Sequence, residues 1–430
     1  MKNIVFCAPL KTLSGYGARS RDIALSLIEI DSNVKFIATP WGDTPNTGLD
    51  LNNESHRKIY QRIVPNINEQ PDIWIQCTIP NEFQSVGKYN IGITAGIETT
   101  ICRPEWVEGC NRMNLVLVSS NHSKNVFTEI QFEKRDQRTQ ALIEVIKLNV
   151  PCEVLFEGID TTIYKKTSKI SNTVSEFMSN VSEEFCFLFV GHWLQGDLGH
   201  DRKDIGMLIK TFLDAFKKKA PQNRPALILK TSHANFSKLE LTHINHKIDS
   251  IRQMIYEAGF KGELPNIYVL YGDLSDEEMN SLYNHDKIKA MVSFTKGEGF
   301  GRPLAEFTLT GKPVLCSNWS GVIDFLQPDK SFLIPGSLGP VHQSAVNDWI
   351  IKDGQWFTVN YLYATQLLEN CYKKYAVFLD TSKKHINFTK DNFSLTKMSE
   401  VLKGYIESSQ ESIPNFVPFK LPEIRNEESK

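Results

Sequence analysis

The chain has 430 residues and a formal net charge of −2, with 41% hydrophobic and 23% charged residues. Its length predicts two domains of about 200 residues each, and the near-neutral charge gives no whole-chain signature of nucleic-acid binding. No apolar run approaches the roughly 18 residues that span a bilayer, and the apolar N-terminus is too short for a signal peptide. The eight cysteines include no Cys-x-x-Cys pair. We therefore expect reduced core thiols and a cytoplasmic protein.

The first half of the chain has the pattern of a parallel α/β domain. Residues 3–8 predict a strand, and LKTLSGYGARSRDIALSLI then predicts a glycine loop and an amphipathic helix. Gly15 and Gly17 lack the third glycine and the acidic partner of a dinucleotide-binding fingerprint. The loop is thus either a tight turn or a segment that meets the phosphates or the acceptor at the cleft. Continuous apolar character favours four more strands of a sheet covered on both faces, at 34–38, 73–76, 89–94 and 115–119.

Polar residues follow the fourth and fifth predicted strands. Ligands of open parallel sheets collect at the carboxyl ends of strands. The residues at these ends that we consider for the acceptor side are Glu98, Thr99, Arg103 and His122. The simpler explanation for each is a cap or a solvated loop residue. The charged run at 131–140 predicts an exposed hairpin or loop and no functional patch.

A polar stretch at 169–184 predicts a linker between a first domain at 1–168 and a second at 185–385. The first strand of the second domain leads into a long glycine-containing loop and an amphipathic helix. Arg202 and Lys203 fall at the start of that helix, where cations oppose the helix dipole unless an anion lies beside them. They are therefore predicted phosphate ligands, with plain surface charge as the alternative.

Two more predicted strands end in residues suited to ligand contact. The strand at 226–230 ends in Lys230, and the strand at 267–271 leads into Gly272 and Leu274. After them, SDEEMNSLYNHD predicts a helix with a capping box, in which Ser275 is the N-cap and Glu278 its partner. From residue 353 onward helices dominate, and a proline-containing tail that we expect to be extended runs to Lys430.

The segment KGEGFGRPLAEFTLTGKPVLCSNWSGVID, residues 296–324, carries the strongest functional pattern. A buried strand leads into a glycine turn, and Pro303 suits the first turn of the helix that follows. The free backbone N–H groups of the turn within 299–303 and the positive end of the dipole suit an anion. Glu298 and Glu306 are placed to reach one ligand, where carboxylates accept from sugar hydroxyls. This pattern favours a nucleotide diphosphate sugar as the ligand.

Five segments together resemble the retaining GT-B glycosyltransferases of glycosyltransferase family 4. They are SGYG, FEGIDTTIY, YGDLSDEEMNSLY, Glu298-GFGRPLA-Glu306 and GKPVLCSNWSGVIDFL, and they are spread over most of the chain. The resemblance implies an α/β protein with the GT-B architecture, in which two Rossmann-like parallel-sheet domains face each other across a cleft. It also implies that residues 386–430, a helix and the tail, pack back on the N-terminal domain.

The resemblance implies roles for individual residues as well. Glu306 would hold the ribose hydroxyls and Glu298 would face the transferred sugar. Lys203 matches the family's phosphate lysine, whereas His192 stands where the family has an arginine, so the guanidinium role passes to Arg202. Glu98 lies in the loop where relatives often carry a histidine. The implied catalytic residues are Arg202, Lys203 and Glu298, and the implied donor-binding residues are Gly15, Gly17, Lys230, Gly272, Leu274, Gly299, Phe300, Gly301 and Glu306.

The implied activity is retaining transfer of a hexose from a UDP- or GDP-linked donor to a hydroxyl of a glycan, a lipid or a modified nucleic acid. Same-face attack, with the leaving phosphate taking the acceptor proton, needs no protein nucleophile. We expect no cofactor and no metal, since no Asp-x-Asp occurs in a plausible donor loop. One alternative is a non-catalytic nucleotide-sugar or glycan-binding protein on this fold. Another alternative is a transferase that acts on DNA bases. Basic segments at 133–140 and 210–225 are consistent with nucleic-acid contact.

Overall fold

The structure, a computed structural model, describes residues 3–232 and 238–413. Its first half contains strands β1 Ile4–Ala8, β2 Lys35–Ala38, β3 Ile73–Cys77, β4 Tyr89–Ile93, β5 Leu115–Val118, β6 Gln131–Arg135, β7 Leu142–Lys147 and β8 Cys152–Val154. The helices of this half are α1 Gly15–Ile30, α2 Glu54–Tyr60, α3 Pro104–Cys110 and α4 Asn121–Glu129.

Six of these strands form a parallel sheet in the order β2-β1-β3-β4-β5-β8. Strands β1, β3 and β5 are buried along their whole length, as expected for a sheet with helices on both faces. The side chains of Ser14 and Ser120 accept from backbone N–H groups of the first helical turns and so fix the starts of α1 and α4. Strands β6 and β7 form an antiparallel hairpin outside the sheet, which confirms the hairpin expected at 131–140.

The second half contains strands β9 Cys186–Val190, β10 Ala226–Lys230, β11 Ile267–Leu270, β12 Ile288–Ser293, β13 Val314–Ser317, β14 Phe332–Ile334, β15 Gly336–Pro340 and β16 Gln355–Val359. Its helices are α5 Asn172–Ser179, α6 Ile205–Phe216, α7 Lys238–Glu257, α8 Asp276–Asn284, α9 Arg302–Thr308, α10 Tyr361–Lys373, α11 Tyr375–Lys383, α12 His385–Phe393 and α13 Leu395–Ser412.

The second sheet is also parallel, with the order β11-β10-β9-β12-β13-β14. The capping box predicted at Ser275 and Glu278 begins α8. Several elements were not predicted, among them α5, α7, β14, β15 and β16. Helix α7 was missed although Ile244, Ile248, Ile251 and Ile255 recur at helical spacing and are buried. Strand β16 lies in a region that we expected to be mainly helical, where it pairs antiparallel with β15. Together the two six-stranded sheets confirm the predicted α/β architecture of two Rossmann-like domains.

Two segments connect the domains. Residues 169–184, where the sequence predicts a linker, contain helix α5, whose Val174 and Met178 pack into the core of the second domain. At the other end of the chain, α13 packs against α1, and its Met398, Leu402 and Ile406 are buried in the core of the first domain. The chain thus crosses back to the domain in which it began. The tail from 414 to Lys430 lies outside the described residues.

All eight cysteines are free and buried. Burial raises the pKa of the Cys7 and Cys152 thiols to about 12, so these groups are neutral core side chains at ordinary pH. Within residues 3–232 and 238–413, no helix is long and apolar enough to cross a membrane.

Candidate active site

Arg202, Lys203, Glu98 and Glu298 meet where the two domains face each other. The loop after β9 presents the two cations, and the loop after β12 presents Glu298. Arg202 Nη1 lies 3.1 Å from Glu298 Oε2 and 3.9 Å from Glu98 Oε1, and Lys203 Nζ donates to Glu298 Oε1. Arg202 Nη1 also donates to the carbonyl oxygen of Gly297 at 3.1 Å. Two loops of the second domain and one of the first are thereby joined around one group of charges.

Neighbouring charges and burial shift the pKa values of this cluster in opposite directions. Burial opposes ionisation of Glu298, but Lys203 and Arg202 outweigh it and lower the pKa of Glu298 to about 2. Burial raises the pKa of Glu98, and Arg202 counteracts that rise. Burial likewise lowers the pKa of Lys203, an effect that Glu298 offsets in part. Two adjacent cations with only 17% and 13% of their side chains exposed suit a ligand that carries concentrated negative charge.

Glu306 lies in a second charged group about one helical turn into α9. Its Oε1 accepts from Arg302 Nε at 2.8 Å, and its Oε2 accepts from the hydroxyl of Tyr283 at 3.2 Å. The same Arg302 reaches across to Asp22 of α1, with Nη1 2.5 Å from Oδ2. Burial raises the pKa of Glu306 to about 7 in spite of Arg302. The carboxyl group of Glu306, for which we predicted contact with the ribose, thus already accepts two hydrogen bonds, from Arg302 and Tyr283.

The glycines of the central motif let the domains approach closely. A Cβ on Gly299 would overlap the carbonyl oxygen of Ala95, and one on Gly297 would overlap the carbonyl oxygen of Glu98. Ser119 Oγ donates to the carbonyl oxygen of Gly299 at 2.9 Å. Gly301 has φ +98°, a left-handed conformation that any residue with a Cβ adopts at a cost. These positions need glycine for backbone contact and for turn geometry.

The other predicted donor residues line the same edges. Gly15 and Gly17 form the first turn of α1, after β1. Lys230 Nζ donates to the carbonyl oxygen of Gly272 at 2.6 Å, so the ends of β10 and β11 are linked. Leu274 packs against the core of the second domain. The ring of Phe300 is only 2% exposed.

The side chain of Phe300 packs against Phe325 and Phe393, with ring centroids 5.0 and 6.1 Å away. Its ring is therefore a core side chain. Only the backbone of Phe300 remains for the donor contact that the resemblance implies.

The predicted acceptor-side residues separate in the structure. Glu98 joins the cationic cluster, whereas the hydroxyl of Thr99 donates to Ile101 O at 2.7 Å and Arg103 lies 3.6 Å from Asp348. His122 packs edge-on against Trp319 of the second domain, 4.7 Å between ring centroids, and burial lowers its pKa to about 4. Both side chains line a cavity of about 330 Å³.

His192, at the position where the family has an arginine, lies beside the site without joining the cation–carboxylate contacts. Its Nδ1 is 3.0 Å from Ser232 Oγ, and burial together with the charge of Lys203 lowers its pKa. Of the two residues considered for the guanidinium role, Arg202 is the one that contacts Glu298.

Sequence reasoning missed Arg302 and its partner Asp22. A signal was present, because Arg302 opens α9 and a cation there opposes the helix dipole, the same argument that singled out Arg202 and Lys203. Asp22 carries no such signal, since it is 280 positions away. No group of three or more His, Cys, Asp or Glu side chains suited to a metal ion occurs in the described parts of the chain.

No known protein family and no curated protein sequence matches this chain. Solved structures do match. HepE from Anabaena, in complex with UDP-glucose, is 12% identical, with a TM-score of 0.58 over 95% of this chain and 100% of that chain. Sucrose-phosphate synthase from Thermosynechococcus elongatus is 11% identical, with a TM-score of 0.63 over 96% of this chain and 100% of that chain. A UDP-forming trehalose-phosphate synthase from Burkholderia xenovorans is 10% identical, with a TM-score of 0.57 over 97% and 100%.

These neighbours are GT-B glycosyltransferases, and the match extends over nearly all of both chains. The chain therefore has the GT-B fold, as the sequence predicts. At this level of identity the similarity establishes the fold, and the activity has to be argued from the residues of the site.

Proposed function

We propose that the protein is a glycosyltransferase that moves a sugar, such as a hexose, from a nucleotide diphosphate sugar to an acceptor hydroxyl. The observation that carries this proposal is the cluster of Arg202, Lys203 and Glu298 at the carboxyl ends of β9 and β12, on a GT-B fold. Open α/β sheets bind ligands at such strand ends. The complex of HepE with UDP-glucose supports a donor of the UDP class.

The two cations supply the chemistry that departure of a diphosphate requires. Negative charge builds on the phosphate oxygens as the glycosidic bond breaks, and preorganised cations at that point are the largest available contribution to catalysis. Glu298 contacts both Arg202 and Lys203 and holds them in place. We propose that the diphosphate takes over part of this contact, so that the site needs no metal ion to bind it.

The carboxylates then serve as binding groups. Glu298, ionised over the whole physiological pH range, orients Lys203 and accepts from hydroxyls of the transferred sugar. Glu306 holds the ribose, and Glu98 faces the sugar from the first domain. We propose retention of configuration by same-face attack, in which a phosphate oxygen of the leaving group takes the acceptor proton. Such a step asks no side chain to act as a nucleophile.

The decisive experiment compares two variants in donor binding and turnover. Lys203→Met should lower kcat for donor hydrolysis or transfer by about 10²- to 10³-fold, the range seen when one charge-stabilising donor is removed. Glu306→Ala should instead weaken nucleotide binding by tenfold or more. Lys373→Met, on the surface of α10, is the matched control and should change neither. Titration calorimetry with UDP, GDP and their sugars gives affinity, and nucleotide release gives turnover.

Three results would contradict the proposal. The first is that none of these nucleotides binds or shifts the melting temperature of the wild-type protein. The second is binding without turnover across glycan, lipid and nucleic-acid acceptors, which would favour a non-catalytic binding protein. The third is loss of activity in EDTA with recovery on Mg²⁺ or Mn²⁺, which would refute metal independence alone.

A further inference from the structure

A fully buried ion pair lies directly behind the cationic cluster. Lys296 Nζ is 3.3 Å from Asp204 Oδ2, and the two side chains are 1% and 0% exposed. Neither residue reaches the cleft, and neither has a role in the function proposed above. Removing two charges from water is costly, so a pair in this position calls for a reason beyond stability.

The pair is fixed in place by its neighbours. The hydroxyl of Tyr361 donates to Asp204 Oδ2 at 2.6 Å, and Lys296 Nζ donates to Thr358 Oγ1 at 2.9 Å. The ammonium also lies over the ring of Trp356, 5.8 Å from its centroid. The start of α10 and strand β16 thus hold both charges in one geometry.

The position of the pair in the chain connects it to the site. Asp204 directly follows Lys203, and Lys296 precedes Glu298 by two residues. The backbone N–H of Lys296 donates to the carbonyl oxygen of Arg202 at 2.8 Å. The same two loops are therefore joined on both sides. Arg202 and Lys203 contact Glu298 in the cleft, and the Asp204–Lys296 pair and the backbone hydrogen bond join the loops behind it.

Asp204 also adopts a backbone conformation that few residues adopt. Its φ is +52°, in the left-handed region, and it begins α6 without a side-chain cap. For a residue with a Cβ this conformation has a steric cost, which the surrounding contacts must offset. Asp is among the non-glycine residues that adopt the left-handed conformation most readily. Here the compensation comes from the buried contacts of its carboxylate, so the turn that aims Lys203 depends on Lys296.

We propose that Asp204 and Lys296 are positioning residues that hold Lys203 and Glu298 in the geometry that receives the donor diphosphate. This inference rests on the proposed function. Without the pair, the loop after β9 and the loop after β12 keep their apolar packing and the backbone hydrogen bond from Lys296 to Arg202, but lose the side-chain contact that fixes the turn at Asp204. A lysine displaced by about 1 Å from the phosphate oxygens stabilises the transition state far less.

The test separates positioning from stability by removing both charges at once. Asp204→Asn or Lys296→Met alone leaves one buried charge unpaired and is expected to unfold readily. The double variant Asp204→Asn/Lys296→Met leaves none, and neutral replacement of a buried pair often preserves stability. We expect the double variant to melt near the wild-type temperature, with kcat reduced at least tenfold and the donor KM within about threefold of wild type.

The control is the exposed pair of Asp380 and Lys383 on α11, which carries the same chemistry at the surface. Asp380→Asn/Lys383→Met should retain wild-type kcat and melting temperature. A second readout needs no turnover: labelling of Lys203 with an amine-reactive reagent, followed by peptide mass spectrometry. Labelling of Lys203 should rise severalfold in the Asp204→Asn/Lys296→Met variant and stay constant in the control.

Wild-type kcat and wild-type labelling of Lys203 in the folded Asp204→Asn/Lys296→Met variant would overturn the positioning role and leave the proposed function intact. If the wild-type protein binds no nucleotide sugar, the proposed function fails instead. Labelling of Lys203 then still decides whether the pair fixes the loop.

Discussion

Glu298 and Glu306 stand eight positions apart in the chain, in opposite electrostatic surroundings. Glu298 faces two cations and has a pKa of about 2, whereas burial raises the pKa of Glu306 to about 7. One is therefore ionised throughout the physiological range, and the other changes charge within it. The sequence motif alone does not distinguish the two carboxyl groups. Their different pKa values depend on burial and on the neighbours Lys203, Arg202 and Arg302.

The raised pKa of Glu306 predicts how stability depends on pH. A carboxyl whose pKa rises from 4.5 to about 7 on folding binds more protons in the native state between these values, so its contribution to stability falls as pH rises. Over the full range the loss is about 3 kcal/mol, at about 1.4 kcal/mol for each pH unit. Urea unfolding of wild type and Glu306→Gln between pH 5 and 8 measures this difference.

The wild-type protein should lose stability relative to Glu306→Gln as the pH rises from 5 to 7, and the difference should level off above pH 7. Glu407→Gln, on the exposed face of α13, is the control and should follow the wild-type curve. A constant difference between wild type and Glu306→Gln at all pH values would mean that Arg302 keeps Glu306 ionised throughout.

At the scale of elements, the first turn of α1 shows how one short loop serves packing and binding together. A Cβ on Gly17 would overlap the carbonyl oxygen of Thr12, so the backbone at Thr12 leaves no space for a side chain at this position. Around Gly15, no described atom lies within 4 Å of the same point. The packing of the protein thus requires glycine at one position and leaves the other open to a ligand.

Alanine at these two positions should therefore act differently. Gly17→Ala should destabilise the protein by about 1–3 kcal/mol, the usual cost of overpacking. Gly15→Ala should fold as well as wild type or slightly better, because alanine favours the helix. If the donor phosphates approach Gly15, its affinity for the nucleotide should still fall severalfold. Thermal unfolding and titration calorimetry of both variants distinguish these effects, and unchanged nucleotide affinity in Gly15→Ala would remove Gly15 from the donor site.

Elements built from local patterns were predictable from the sequence. Apolar runs predicted most of the strands, and the capping box at Ser275 predicted the start of α8. The missed features depend on distant residues. Helix α5 has a mostly polar sequence, and only the folded chain shows that its few apolar residues pack into the second domain. The Arg302–Asp22 contact joins positions 280 apart. The pairing of Lys296 with Asp204 is likewise a product of the folded chain, because no spacing rule brings them together.

At the scale of the whole molecule, charged side chains hold the domains against each other. Asp22 of α1 contacts Arg302, and Asp324 of the second domain accepts from the backbone N–H of Asn121 at 2.8 Å. Backbone contacts at Gly297 and Gly299 lie between these points. The arrangement is that of a closed cleft, which under the proposed function would exclude water from the donor and limit its hydrolysis.

Asp22→Asn should weaken closure, because it leaves Arg302 with Glu306 as its remaining carboxylate partner among those described. We expect kcat/KM for the donor to fall about tenfold and the ratio of hydrolysis to transfer to rise. Small-angle X-ray scattering should show a larger radius of gyration. The control Glu29→Gln, at an exposed position of the same helix, should match wild type. A scattering curve and hydrolysis ratio identical to wild type would show that the Asp22 contact does not govern closure.

The return of α13 to the first domain has a consequence for how the protein is made. Met398, Leu402, Ile406 and Ile413 complete a core whose other buried members lie before residue 160. While the ribosome is still adding the second domain, the nascent first domain exposes the apolar groove that α13 later fills. The two domains therefore mature in the reverse of their order of synthesis, and a nascent chain that stalls before residue 395 leaves that groove open to chaperones.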